Sequence, residues 1–90
     1  MGVYEVEVII ENKPAARDPE GETIHRDLLV LGGYEAVKSV RAGKYLRMEV
    51  EANSPEEAKR IVFEACNKLR IFNPVVHTCT IRVRHEGGGH

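Results

Sequence analysis

Apolar and polar residues alternate over residues 3–10: Tyr4, Val6, Val8 and Ile10 share one face, and Val3, Glu5, Glu7 and Ile9 the other. A period of two with β-branched side chains predicts a half-buried strand. Glu11 to Arg17, which contains Lys13-Pro14, reads as a loop. Asp18-Pro19-Glu20-Gly21 then opens a helix, with Asp18 placed to cap free amides and Pro19 suited to the first helical position. Ile24, Leu28 and Leu31 follow at i, i+4 and i+7 as an apolar stripe, and Gly32-Gly33 provides the stop. Gly21 in the first turn looks like a weak point, up to ~1 kcal/mol worse than Ala.

Residues 36–41 and 44–52 predict two strands of an antiparallel hairpin around Ala42-Gly43. Leu46, Met48 and Val50 share one face of the second; Tyr45, Arg47, Glu49 and Glu51 share the other. Ser54-Pro55-Glu56-Glu57 is a capping box, followed at helical spacing by Ala58, Ile61, Val62, Ala65, Cys66 and Leu69. Pro74 requires that helix to end by about Asn73. A last strand is predicted from about Val75 to Arg84, with Val75, His77, Cys79, Ile81 and Val83 on one face and Val76, Thr78, Thr80, Arg82 and Arg84 on the other.

The order β-α-β-β-α-β predicts an α+β, ferredoxin-like sandwich, two helices on one face of a four-stranded antiparallel sheet in order 4-1-3-2. Residues 1–84 form the single domain, and 85–90 a polar, Gly-rich tail. With the first strand central, Glu5 and Glu7 are expected on the open face between Arg82 and Arg84 on one side and Arg47 on the other. Val3, Ile9, Tyr45, Val76, Thr78 and Thr80 complete that face, a mixed apolar and small-polar surface suited to an interface.

Composition narrows the function. The 13 Lys+Arg balance 14 Asp+Glu, so no global field draws nucleic acid or an anionic membrane. With no Trp, two Phe and three Tyr, the chain is poor in base-stacking platforms, and Glu5 and Glu7 would repel phosphate from the open face. No apolar run approaches a membrane span, and MGVYEVEVII reads as a strand rather than a signal peptide. The expected setting is the cytoplasm, with Cys66 and Cys79 reduced and acting as inert packing residues. His77, Cys79 and His85 share a strand parity, but no second ligand cluster accompanies them. Arg41 and Lys44 flank a turn at Ala42-Gly43 that could hold an anion, yet neither a P-loop nor a dinucleotide fingerprint is present. The residues favour an assembly module over a catalyst.

The runs Asp18-Pro19-Glu20-Gly21, Leu31-Gly32-Gly33-Tyr34-Glu35-Ala36-Val37 and Val40-Arg41-Ala42-Gly43-Lys44-Tyr45, in this order, resemble the PurS family. The helix from Glu57-Ala58 through Cys66-Asn67-Lys68-Leu69 and the Asn73-Pro74-Val75-Val76 junction extend the resemblance from Val3 to Val83. It departs from the family pattern at Gly32-Gly33, one glycine longer than usual, and at Arg70-Ile71-Phe72, His77 and Cys79. The resemblance implies the small, non-catalytic subunit of phosphoribosylformylglycinamidine synthase in purine biosynthesis. That enzyme converts formylglycinamide ribonucleotide, ATP and glutamine to the formylglycinamidine. The family bridges a PurQ-type glutaminase and a PurL-type synthetase, aids ammonia transfer and forms dimers or tetramers. ATP and Mg belong to the synthetase, with no cofactor for this subunit. Arg41, Lys44 and Tyr45 are the expected subunit contacts, joined on the open face by Ile9, Thr78 and Thr80. An ACT-like small-ligand domain shares the element order, but its glycine-containing loop after the first strand is missing from Asn12-Lys13-Pro14-Ala15-Ala16. An acylphosphatase-like hydrolase would also need a phosphate cradle there.

Overall fold

The computed structural model describes residues 2–84; the tail and His85 lie outside them. The first alternating run forms β1, Gly2–Asn12. It is central, pairing antiparallel with β2, Gly43–Ala52, and with β3, His77–Arg84. The sheet order is β2-β1-β3. These are three of the four expected strands, in their expected relation.

The missing strand is the one expected over 36–41. Both edges of β1 are occupied, so this segment would have to fold back on the outer edge of β2. It is pulled the other way. The Ala42 amide donates to Asp18 Oδ2 at 2.6 Å, and Arg41 Nη2 donates to the carbonyls of Asn12 at 2.8 Å and Lys13 at 3.1 Å. These bonds hold the chain against the end of β1, and β2 starts at Gly43 with no hairpin before it.

The second helix, α2, spans Pro55–Lys68 and covers one face of the sheet. Ser54 Oγ accepts from the Glu57 amide at 3.1 Å, and Glu57 Oε1 accepts from the Asn53 amide at 2.7 Å. The reciprocal bond thus reaches one residue further back than in the usual box. Ala58, Val62 and Cys66 pack onto Val6, Val8, Ile10, Ala52 and Phe72 to form the core. Ile61 and Leu69, expected on the same stripe, are exposed. The helix ends before Pro74 is reached. Arg70 takes φ 56°, while the Ile71 amide donates to Cys66 O at 3.0 Å and the Arg70 amide to Asn67 O at 3.4 Å. This is a Schellman motif with arginine in the usual glycine position. Pro74-Val75-Val76 then forms a turn on Asn73, so β3 begins at His77 rather than Val75.

The first helix departs most from expectation. α1 spans Pro19–Thr23 and continues as a π-helix over Ile24–Val30. Bonds from i to i+5 put more residues in each turn, so side chains four apart no longer stack. The Ile24, Leu28, Leu31 stripe is dispersed, with Leu28 63% and Leu31 79% exposed. Among the described residues the backbone of this helix lies against no strand. One helix, not two, therefore covers the sheet. The stop itself falls where expected, with Gly33 at φ 97°.

The outline reflects this arm. The extents are 51 × 33 × 14 Å and the radius of gyration is 16.5 Å, against about 12 Å for a compact chain of this length.

Candidate functional site

The open face of the sheet is laced by charge. Glu5 lies 3.3 Å from Arg47 on β2 and 3.5 Å from Arg84 on β3, and Arg84 also reaches Glu7 at 3.6 Å. Tyr45 Oη donates to Glu7 Oε2 at 2.7 Å, which pushes the phenol above its ordinary pKa because the bond holds its proton. This is the cross-strand pairing that alternation predicts, with Arg84 as the shared cation and Arg82 opposite Glu7 in the register. Beside it, Ile9 stands between Tyr45 and Thr80 in one row.

The six sequence-selected residues divide into three places. Ile9, Tyr45 and Thr80 form that row. Arg41 and Thr78 line a groove of about 470 Å³ with Glu11, Asn12 and Pro14. Lys44 has the opposite strand parity to Tyr45 and lines a separate recess of about 260 Å³ with Asn12, Asp18, Glu20 and His77. His77 is anchored there by its Nδ1, which accepts from the Asn73 amide at 3.1 Å.

The anion-binding turn read from Arg41 and Lys44 does not form. Ala42 has given its amide to Asp18, and Arg41 is turned onto two carbonyls. Asp18 is 5% exposed and takes a second bond from the Gly21 amide at 3.1 Å. The Ala42 and Gly21 amides hold its carboxyl below the usual carboxylate range. The capping half of this role is legible in Asp18-Pro19; the bond to Ala42, 24 residues on, has no local signal. Likewise, His25 Nε2 donates to Val37 O at 2.7 Å and ties the π-helix to the returning segment. Among the described residues, no group of three or more His, Cys, Asp or Glu gathers as a metal site. No helix there is long and apolar enough to cross a membrane.

A three-stranded sheet covered on one side by α2, with an open, ion-paired face and an apolar projecting arm, defines a ferredoxin-like α+β domain. A sequence model described as PurS, phosphoribosylformylglycinamidine (FGAM) synthase, matches residues 5–85, and the chain belongs to the PurS family. The Archaeoglobus fulgidus FGAM synthase subunit PurS is 43% identical over 75 residues, 83% of this chain and 91% of that protein. The crystal structure of Methanocaldococcus jannaschii PurS superposes with a TM-score of 0.80 at 37% identity, covering 90% of this chain and 95% of the other. A chain of the Thermotoga maritima PurLQS structure gives 0.83 at 37% identity, covering 93% and 100%.

Proposed function

We propose that this chain is the non-catalytic small subunit of an FGAM synthase complex, bridging a PurL-type synthetase and a PurQ-type glutaminase and aiding ammonia transfer between them. The observation that carries this reading is its likeness, along nearly its whole length, to a chain of the PurLQS structure. The ATP and Mg of the reaction are assigned to the synthetase, and none to this chain. The open face fits a structural role. Glu5 and Glu7 are each paired with arginine in the plane of the sheet, and Glu7 also accepts from Tyr45, which leaves Ile9, Tyr45 and Thr80 as a row beside compensated carboxylates, free to make contacts. Self-association through this row, and partner contacts at Arg41, Lys44 and Thr78, belong to the same proposal.

The test is reconstitution. The synthetase and glutaminase subunits, supplied with formylglycinamide ribonucleotide, ATP and glutamine, are assayed with and without this chain. Glutamine-dependent turnover is expected to require it, while added ammonium bypasses much of the requirement. Full glutamine-dependent turnover in its absence would overturn the proposal.

A further inference from the structure

The recess of about 260 Å³ lies at the end of the sheet where β2 and β3 begin, and its lining divides chemically. Ile10, 5% exposed, and Ile71 from the segment after α2 make up its apolar part. Lys44 stands opposite Ile10 on β2, and His77 opposite Asn12 on β3, all on one face by strand parity. The two basic residues thus flank β1 from either side, about 7 Å apart along it. Glu20 reaches the same recess because Asp18 clamps the start of α1 to Ala42, beside β2. Glu20 and Lys44 are opposite charges on one cavity, yet among the described residues neither has an ion-pair partner. Asp18 adds no such charge, since the Gly21 and Ala42 amides occupy its two oxygens. The neutral groups sort in the same way. His77 Nδ1 accepts from the Asn73 amide, so Nε2 carries the ring proton and is a donor. Asn12 Nδ2 donates to Arg17 O, so its Oδ1 remains as an acceptor.

We propose that this recess binds a zwitterionic α-amino acid with an uncharged side chain. The ligand carboxylate takes Lys44 Nζ and the His77 Nε2–H, and the ammonium takes the Glu20 carboxylate and Asn12 Oδ1. The ligand side chain lies on Ile10 and Ile71. Only a ligand with both charges completes the pair that Lys44 and Glu20 leave open. An anion alone would face Glu20 and the buried Asp18 carboxylate, and a cation alone would face Lys44. The volume is that of a single amino acid and falls short of the roughly 300–1,000 Å³ of pockets for larger ligands, which sets a nucleotide aside. Few contacts and an open rim imply weak binding, with a Kd on the order of 1 mM.

The experiment titrates the isotope-labelled full-length chain with L-leucine and, separately, L-glutamine, and follows backbone amide shifts by NMR. Saturable shifts are expected at Asn12, Gly43, Lys44 and Ile71, and the tighter probe tells whether Ile10 and Ile71 select an apolar side chain. Isocaproate, which is leucine without its ammonium, and isoamylamine, which is leucine without its carboxylate, should each bind at least about tenfold more weakly. Lys44→Gln and Glu20→Gln, both at exposed positions, should each weaken L-leucine binding by about tenfold. Either analogue matching L-leucine, shifts confined to other parts of the chain, undiminished binding by either variant, or no saturation by about 10 mM would each overturn the proposal. The analogues on the unsubstituted protein decide the matter if a variant folds poorly. The titration uses this chain alone, so its result is read separately from the reconstitution assay.

Discussion

Gly21 shows how a tertiary contact can reverse the sign of a local preference. Helix propensity favours alanine there by up to ~1 kcal/mol. In the structure a Cβ at this position would stand 2.5 Å from Val40 O and 2.7 Å from Asp18 Oδ2. Gly21→Ala is therefore expected to lower the melting temperature, by roughly 5 °C if about 1 kcal/mol is lost; a rise would show that the arm relaxes freely. Asp18 contributes in the same place through its charge. Its folded pKa lies below the unfolded value, so its contribution is complete above the ordinary carboxylate pKa of about 3.9 and is lost as pH falls through the folded value. Asn at this position keeps one acceptor oxygen but presents an NH₂ to the second amide. Asp18→Asn is expected to lower stability at neutral pH and to flatten the acid limb of a melting-temperature profile. A variant with an unchanged limb would assign that slope to other carboxylates. The sequence shows Asp18 as a cap but not as a clamp, because its second donor lies outside any window that local patterning can read.

At the level of elements, the period-two segments are the most legible. β1, β2 and β3 fall within two residues of expectation, and the charges on the open face pair as alternation implies, since strand parity is fixed by covalent geometry. Two elements escape such reading. The π-helix has the composition of an ordinary amphipathic helix, so no local pattern announces its wider turn; only its N-terminal side is tied back to the returning segment, through Asp18 to Ala42 and through His25 to Val37. The predicted strand over 36–41 has adequate β propensity and is overruled by Arg41 and Asp18. The end of α2 is hidden because arginine occupies the left-handed position. That conformation costs a non-glycine residue roughly 1–2 kcal/mol, partly offset in a glycine variant by greater freedom of the unfolded chain. Arg70→Gly is expected to raise stability by about 0.5–1 kcal/mol, measured by urea denaturation with an unchanged slope; a loss would show that the Arg70 side chain makes a compensating contact.

For the molecule as a whole, the thin core implied by a short chain appears as a single covered sheet face and an arm that buries little of its own apolar surface. Leu28, Leu31 and Tyr34 are each more than half exposed. The family is legible from motif order, whereas the shape is not, because shape depends on the two long-range clamps. Light scattering is expected to give a multiple of the 10.1 kDa chain mass. Ile9→Asp and Thr80→Asp should each reduce that mass; if neither does, association uses another surface. The Asp18–Ala42 bond has a consequence for how such a chain can diversify. It brings the two ends of the 19–41 excursion together at the end of the sheet. An excursion that leaves and returns at one point can lengthen or shorten at little entropic cost, and the strands beneath need not shift register. The 2–18 and 42–84 segments are in this sense a chassis, and the arm an interchangeable fitting whose dimensions can follow those of whatever it meets.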